Sequence, residues 1–279
     1  MHISTLIDDI YSRVSSSKKV SKKNLEDLLE GISNSIIKHL EEDRKPSNKK
    51  TIRMSSIGKP DRKLWMDFNG PKIEVDYNAS SLIKFLYGSI IEELVLFLAK
   101  EARHSIQEPQ KQLELEGIKG HIDCKIDGEI VDVKSASDFA FRKFKTGSIE
   151  SDDPFGYIAQ ISAYAEAEGK DCGYFLAMNK VTGELVLHEL DDFSLINASQ
   201  RIKDVKKIIN SSDIPPLCYD IAPEGKSGNM RISKDCSYCY YKWTCYPDMR
   251  VFKYHDGLKY LVKVEKEPNV PEVTETVRV

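Results

Sequence analysis

Residues 120–135, GHIDCKIDGEIVDVKS, decide the fold of this chain. Asp127-Gly128 favours the tight turn of a β-hairpin, and it separates two β-like runs, HIDCKI at 121–126 and EIVDVKS at 129–135. Side chains alternate along a strand, so Asp132 and Lys134 share one face while Val131 and Val133 share the other. The first run contributes Asp123, with His121 on its face by the same period. Pairing through the turn brings Asp123 towards Asp132, where two carboxylates repel. A divalent cation resolves that conflict, and Mg2+ or Mn2+ takes a few carboxylates together with water and phosphate oxygens. Lys134 beside it would orient or deprotonate an attacking water and offset developing charge. An Asp-x-Lys alone is more often a surface charge pair. Two such fragments nine residues apart across a turn are less easily accidental.

Working outward, 113–117 forms a further β-like run. Residues 80–103 are apolar nearly all round, as in a buried helix, and Gly88 inside them points to close approach by another element. A helix is predicted over 155–168, then β-like runs at 172–179 and 184–190 joined through Thr182-Gly183, then a helix over about 192–210. Upstream, residues 24–40 carry apolar residues at helical spacing behind Asn24 as a candidate N-cap. The expected fold class is α/β: a central mixed sheet from the 113–135 strands and the 172–190 hairpin, flanked by the helices at 80–103 and 155–168. Its organisation is expected as a helical extension and basic arm (1–78), a core (79–212), a Cys-bearing segment packed on that core (213–265) and an extended or disordered tail (266–279).

The 279 residues are 41% hydrophobic and 30% charged, the composition of a soluble globular protein. No apolar run is long enough to span a membrane and no signal peptide is evident, so a cytoplasmic location is expected. The net charge of -3 gives no global argument for a polyanionic partner. Locally the balance differs: residues 44–63 hold eight Lys and Arg against Asp61 alone. That stretch reads either as a solvated linker or as an arm contacting phosphates, with Lys49, Lys50, Arg53, Lys59 and Arg62 as candidates. His121 is a further, weaker candidate for such contacts. Four of six cysteines crowd into 218–245 as Cys218, Cys236-Ser-Tyr-Cys239 and Cys245, a spacing that reads as metal or cluster ligation in a reducing compartment. Zinc, an iron-sulfur cluster and unligated thiols all stay open. Cys124 and Cys172 read as core residues. No Walker-type phosphate loop occurs, so ATP hydrolysis is not expected.

The ordered set Gly88-Ser-Ile-Ile-Glu92, Gly120-His-Ile-Asp123, Asp132-Val-Lys134 and Gln160-Ile-Ser-Ala-Tyr164 resembles the RecB-like branch of the PD-(D/E)xK nuclease superfamily over roughly 85–250. The resemblance implies a restriction-endonuclease-like core and a metal-dependent deoxyribonuclease, an exonuclease serving DNA repair or recombination. Glu92, Asp123, Asp132 and the carbonyl of Val133 would hold Mg2+ or Mn2+, Lys134 would be the catalytic lysine, and Gln160 with Tyr164 would reach the substrate or the lysine. Glu92 stands where many relatives have histidine, and Glu93, about 100° round the helix, is expected to face solvent or lie behind the ligands. The iron-sulfur members of AddB and CRISPR-adaptation type place three late cysteines and one upstream cysteine around a 4Fe-4S cluster. Here Pro60 stands at the upstream position in KPDRKLW, and Cys218 is the replacement suggested by count and proximity; structural Zn2+ is the alternative. DNA is the implied partner, with no membrane role, and a stand-alone protein of the kind some phages encode is in keeping with the absent motor. A catalytically silent DNA-binding module of the same fold and a structure-specific endonuclease are the rival readings.

Overall fold

A computed structural model describes residues 1–41, 51–73 and 78–273. In chain order its elements begin with α1 (Leu6–Val14), α2 (Lys22–Glu41), α3 (Asp61–Asn69) and α4 (Ala79–Glu101). Strands β1 (Ile106–Gln107), β2 (Gln112–Leu115), β3 (Ile118–His121), β4 (Cys124–Ile126) and β5 (Glu129–Ala136) follow. Next come α5 (Asp138–Thr146), α6 (Tyr157–Glu168), β6 (Gly173–Asn179), β7 (Leu185–Leu190) and α7 (Ala198–Asn210). The chain then runs through β8 (Ala222–Pro223), β9 (Met230–Arg231), α8 (Lys234–Ser237), α9 (Lys242–Cys245), β10 (Arg250–Tyr254) and β11 (Gly257–Lys263). These elements divide into two compact units, Met1–Lys59 with Ala79–Val205, and Pro60–Asn78 with Lys206–Val279.

The first unit is α/β, with a central five-stranded mixed sheet in the order β1-β4-β5-β6-β7. Its α4 and α6 pack on β5, as expected from the sequence. Strand β5 pairs antiparallel with β4 and parallel with β6, so it is an interior strand covered on both faces. That explains why Ile130 to Val133 are all buried, and why β6 reads GYFLAMN with hardly a polar break. Val131 and Val133 pack in one core with Val95, Ala99, Leu176 and Cys124. Cys172 lies against the same core, so both isolated cysteines are packing residues as expected.

One strand departs from expectation. The run 121–126 is broken at Ile122-Asp123, where the Ile122 N–H donates to the Lys111 carbonyl at 3.1 Å and the Gln110 N–H to the Asp123 carbonyl at 3.0 Å. Its first part ends β3, which pairs with β2 in a separate two-stranded sheet, and its second part is β4. The strands at 112–121 are therefore not part of the central sheet. The sequence reading also misses α1 and α5; the latter is capped by Ser137 and ended by Gly147 in the left-handed conformation.

The second unit contains α3 and a four-stranded sheet in the order β10-β11-β9-β8. Ile232, Met249, Val251 and Tyr260 form its core, with Cys236 and Trp243 against them. Residues 267–273 lie along β10: the Lys253 N–H donates to the Pro271 carbonyl at 2.9 Å, and Arg250 pairs with both Glu267 and Glu272. Among the described residues no helix is long and apolar enough to cross a membrane.

Candidate active site

The register explains how three acids meet. Cys124 pairs with Val131, so one step further Asp123 faces the stretch Asp132-Val133. Lying at the break rather than within the ladder, Asp123 turns its Oδ2 to accept the Val133 N–H at 2.8 Å. Asp132 is 2% exposed and pairs with Lys134 on its own face of β5, as the period-two reading expects. Glu92 arrives from α4, whose Gly88 passes close to this strand: a Cβ on Gly88 would stand 3.3 Å from Ser135 Oγ. Four residues is about one helical turn, so that close approach sets Glu92 over the sheet. Gln110 Nε2 lies 3.4 Å from Glu92 Oε1.

From α6, Gln160 Nε2 lies 3.3 Å from Asp132 Oδ1 and 3.1 Å from the Tyr164 hydroxyl. Gln160 and Tyr164 thus reach the acid, not Lys134. The lysine meets a residue the sequence reading missed, Tyr157, whose ring lies 4.5 Å from Lys134 Nζ. Its signal was the spacing Tyr157-x-x-Gln160-x-x-x-Tyr164, a single helical face. Gly120 serves the same assembly, since a Cβ there would come within 2.8 Å of both Met54 and Tyr164.

The electrostatics follow from crowding. Burial, then Glu93 and Asp132, push the Glu92 carboxyl up to about 7, against the opposing pull of Lys134 and Lys38. Burial, then Asp132 and Glu92, hold the Asp123 carboxyl well above its usual range. For Lys134, burial disfavours the charge, but Asp132 and Asp123 outweigh it and push the pKa up, so the lysine is an ammonium at neutral pH. Burial also pushes the Tyr164 hydroxyl up to about 12. Glu93 is half-buried: it lies against α2, where Gly31 leaves room for its carboxylate, and burial raises its pKa.

Among the described residues, no three His, Cys, Asp or Glu side chains are grouped so as to hold a metal ion. Asp132 is engaged by Lys134, and Asp123 by the Val133 N–H. The donor chemistry nevertheless fits a hard divalent cation: three carboxylates crowd together and share one ammonium, that of Lys134, which pairs with Asp132 Oδ2.

His121 ends β3 exposed, opposite Gln112 in the small sheet, so the strand break removes the alternation that joined it to Asp123. Lys49 and Lys50 lie outside the described residues. Arg53 is exposed beside Met54–Ser56, and Lys59 is half-buried. Arg62 is held within the second unit: its Nε donates to Cys245 Sγ at 3.3 Å and its Nη1 to the Pro215 carbonyl at 2.6 Å.

Cys218, Cys236, Cys239 and Cys245 are within electrostatic reach of one another. Burial and then the other three thiols push Cys236 up to about 12; Cys218 is raised by burial, with Cys239 and Cys245 adding to it. Two cations adjoin this group, Arg62 and the buried Lys242, the latter 4.9 Å from the Tyr260 ring.

No family model and no curated protein matches the chain. Among solved structures it is similar to the protein SSO0001, with TM-score 0.41 and 13% identity over 79% of this chain and 95% of that one. It is similar to an alkaline exonuclease from Laribacter hongkongensis, with TM-score 0.32 and 14% identity over 55% of this chain and 87% of that one. A phage-related exonuclease from Haemophilus somnus gives TM-score 0.38 and 14% identity over 57% of this chain and 90% of that one. These are weak likenesses of backbone path.

Proposed function

We propose that the chain is a divalent-metal-dependent deoxyribonuclease of the RecB-like PD-(D/E)xK kind, hydrolysing phosphodiester bonds from DNA ends. One observation carries the reading: Glu92, Asp123 and the buried Asp132, mutually repelling, converge beside a lysine kept charged by two of them. Glu92, Asp123, Asp132 and the Val133 carbonyl are the groups that would hold Mg2+ or Mn2+, which when bound supplies a lowered water pKa and neutralises phosphate charge. The chain's own part is positioning. Because Lys134 is an ammonium, it acts as a donor that orients water or a phosphate oxygen and offsets developing negative charge, not as the base. Gln160 orients Asp132, Tyr164 orients Gln160, and Tyr157 carries the lysine.

Cys218, Cys236, Cys239 and Cys245 are read as ligands of a 4Fe-4S cluster, or of structural Zn2+, with Arg62 and Lys242 offsetting thiolate charge. Arg53 and Lys59, with Lys49 and Lys50, are the assigned contacts to backbone phosphate. The decisive test is cleavage of linear DNA in Mg2+ or Mn2+ by wild type, Asp132→Ala and Lys134→Ala. Both variants should lose cleavage while retaining DNA binding. Undiminished cleavage in both sinks the assignment, and calcium-supported binding with no cleavage by wild type returns the chain to a silent DNA-binding module.

A further inference from the structure

Phe155 is 63% exposed, yet the turn that carries it is tightly fixed. Asp153 caps that turn: its Oδ1 accepts the Gly156 N–H at 2.9 Å and its Oδ2 the Ile158 N–H at 2.8 Å. Gly156 takes a positive φ of 76° and packs so closely on Gly58 that a Cβ on either would overlap the other's backbone. A ring held out to water by a rigid turn gives little to folding, and its position is informative. Phe155 stacks on Tyr157 with centroids 5.4 Å apart and planes 25° apart, and Tyr157 is the ring that carries Lys134 at 4.5 Å. The open face of Phe155 is thus two contacts from the lysine.

A second exposed ring lies on α5. Phe139 on α5 is 67% exposed and lies 5.5 Å from Lys143 Nζ, and Lys143 donates to the Asp152 carbonyl at 3.0 Å, joining α5 to the same loop. Aromatic rings beside cationic side chains and next to phosphate chemistry are the elements of single-strand recognition, in which bases stack on rings irrespective of sequence. A base inside a duplex has both faces covered by its neighbours and offers none to a protein ring.

We infer that Phe155 is the stacking platform for an unpaired nucleobase flanking the phosphate that is cut, which makes single-stranded DNA or an unpaired end the substrate of this site. The inference rests on the nuclease reading for the phosphate, but stacking is measurable without cleavage. The probe is a single-stranded oligodeoxynucleotide with one 2-aminopurine, placed at successive positions, bound to the full chain in calcium. Wild type should quench the fluorophore at one or two positions. Phe155→Trp should preserve the quench, whereas Phe155→Leu, which keeps bulk without an aromatic face, and Phe155→Ala should abolish it and weaken binding about tenfold. In Mg2+ or Mn2+ the same two losses should raise KM on single strands more than they lower kcat.

Quenching that survives in Phe155→Leu, or its absence in wild type, overturns the inference and leaves those rings to another partner. Two outcomes separate the platform from the nuclease. Phe155-dependent quenching without any cleavage keeps the platform and removes the nuclease reading, and cleavage with no dependence on Phe155 does the reverse.

Discussion

Tyr157 and Glu92 shape the site more than their place in any motif announces. Lys134 rests on the Tyr157 ring while paired with Asp132, so the ring restrains where the ammonium points. A cation on an aromatic face gains about 0.5–2 kcal/mol. Tyr157→Phe should therefore retain most of the turnover, and Tyr157→Leu should lower kcat by roughly three- to thirtyfold at near-constant KM, read in steady-state assays on linear DNA. Equal losses in both variants would assign the effect to the hydroxyl instead. Glu92, pushed up to about 7, sets a pH dependence. Between its unfolded and folded pKa values the native state holds the extra proton, so this group's contribution to stability is present at low pH and lost as pH rises through about 7. Metal-free protein should accordingly be destabilised by Glu92 between about pH 5 and 8, and Mn2+ should raise the melting temperature more at pH 8 than at pH 6, because binding needs the deprotonated carboxylate. Thermal melts with and without Mn2+ check this. In Glu92→Gln the difference between the two pH values should shrink.

At the scale of elements, the site depends on two close approaches. Helix α4 comes near Ser135 at Gly88, and α6 brings Tyr164 against β3 at Gly120. A methyl group on Gly120 meets Met54 and Tyr164 at 2.8 Å, closer than ordinary contact. Gly120→Ala should cost about 1–3 kcal/mol in denaturant unfolding and should weaken Mn2+ binding as well, since displacing Tyr164 releases Gln160 from Asp132. A variant as stable as wild type would remove that packing account. The hairpin through Asp127-Gly128 and the shared face of Asp132 and Lys134 were legible because a two-residue period is a local property. The break at Ile122-Asp123 was not legible. It depends on hydrogen bonds to Gln110 and Lys111, supplied by residues more than ten positions away. Helix α5 was missed for a different reason: DFAFRKFKT is only nine residues long, too short for its periodicity to stand out.

Across the whole chain, two units carry two separate chemistries, acids in the first and thiols in the second. Cys236→Ser combined with Cys239→Ser should strip bound iron or zinc and its visible absorbance from anaerobically purified protein, and should lower the melting temperature; elemental analysis and a thermal scan read both. Unchanged metal content would return these cysteines to packing residues. Within the arm at 44–63, Arg53 and Lys59 fall in the first unit and Arg62 in the second. There Arg62 meets Cys245, and Cys218 stands among the other three thiols. By itself the sequence determined the α/β class, the interior strands and which acids, lysine and cysteines to single out, because burial and alternation leave a local pattern of residue types. Only the tertiary structure decided that Asp123 sits at a break, that Lys134 rests on Tyr157, that Glu93 is half-buried against α2 and that Phe155 stands open beside Tyr157. Each of those depends on which distant side chain or backbone fills the adjoining space, and no spacing along one segment encodes that.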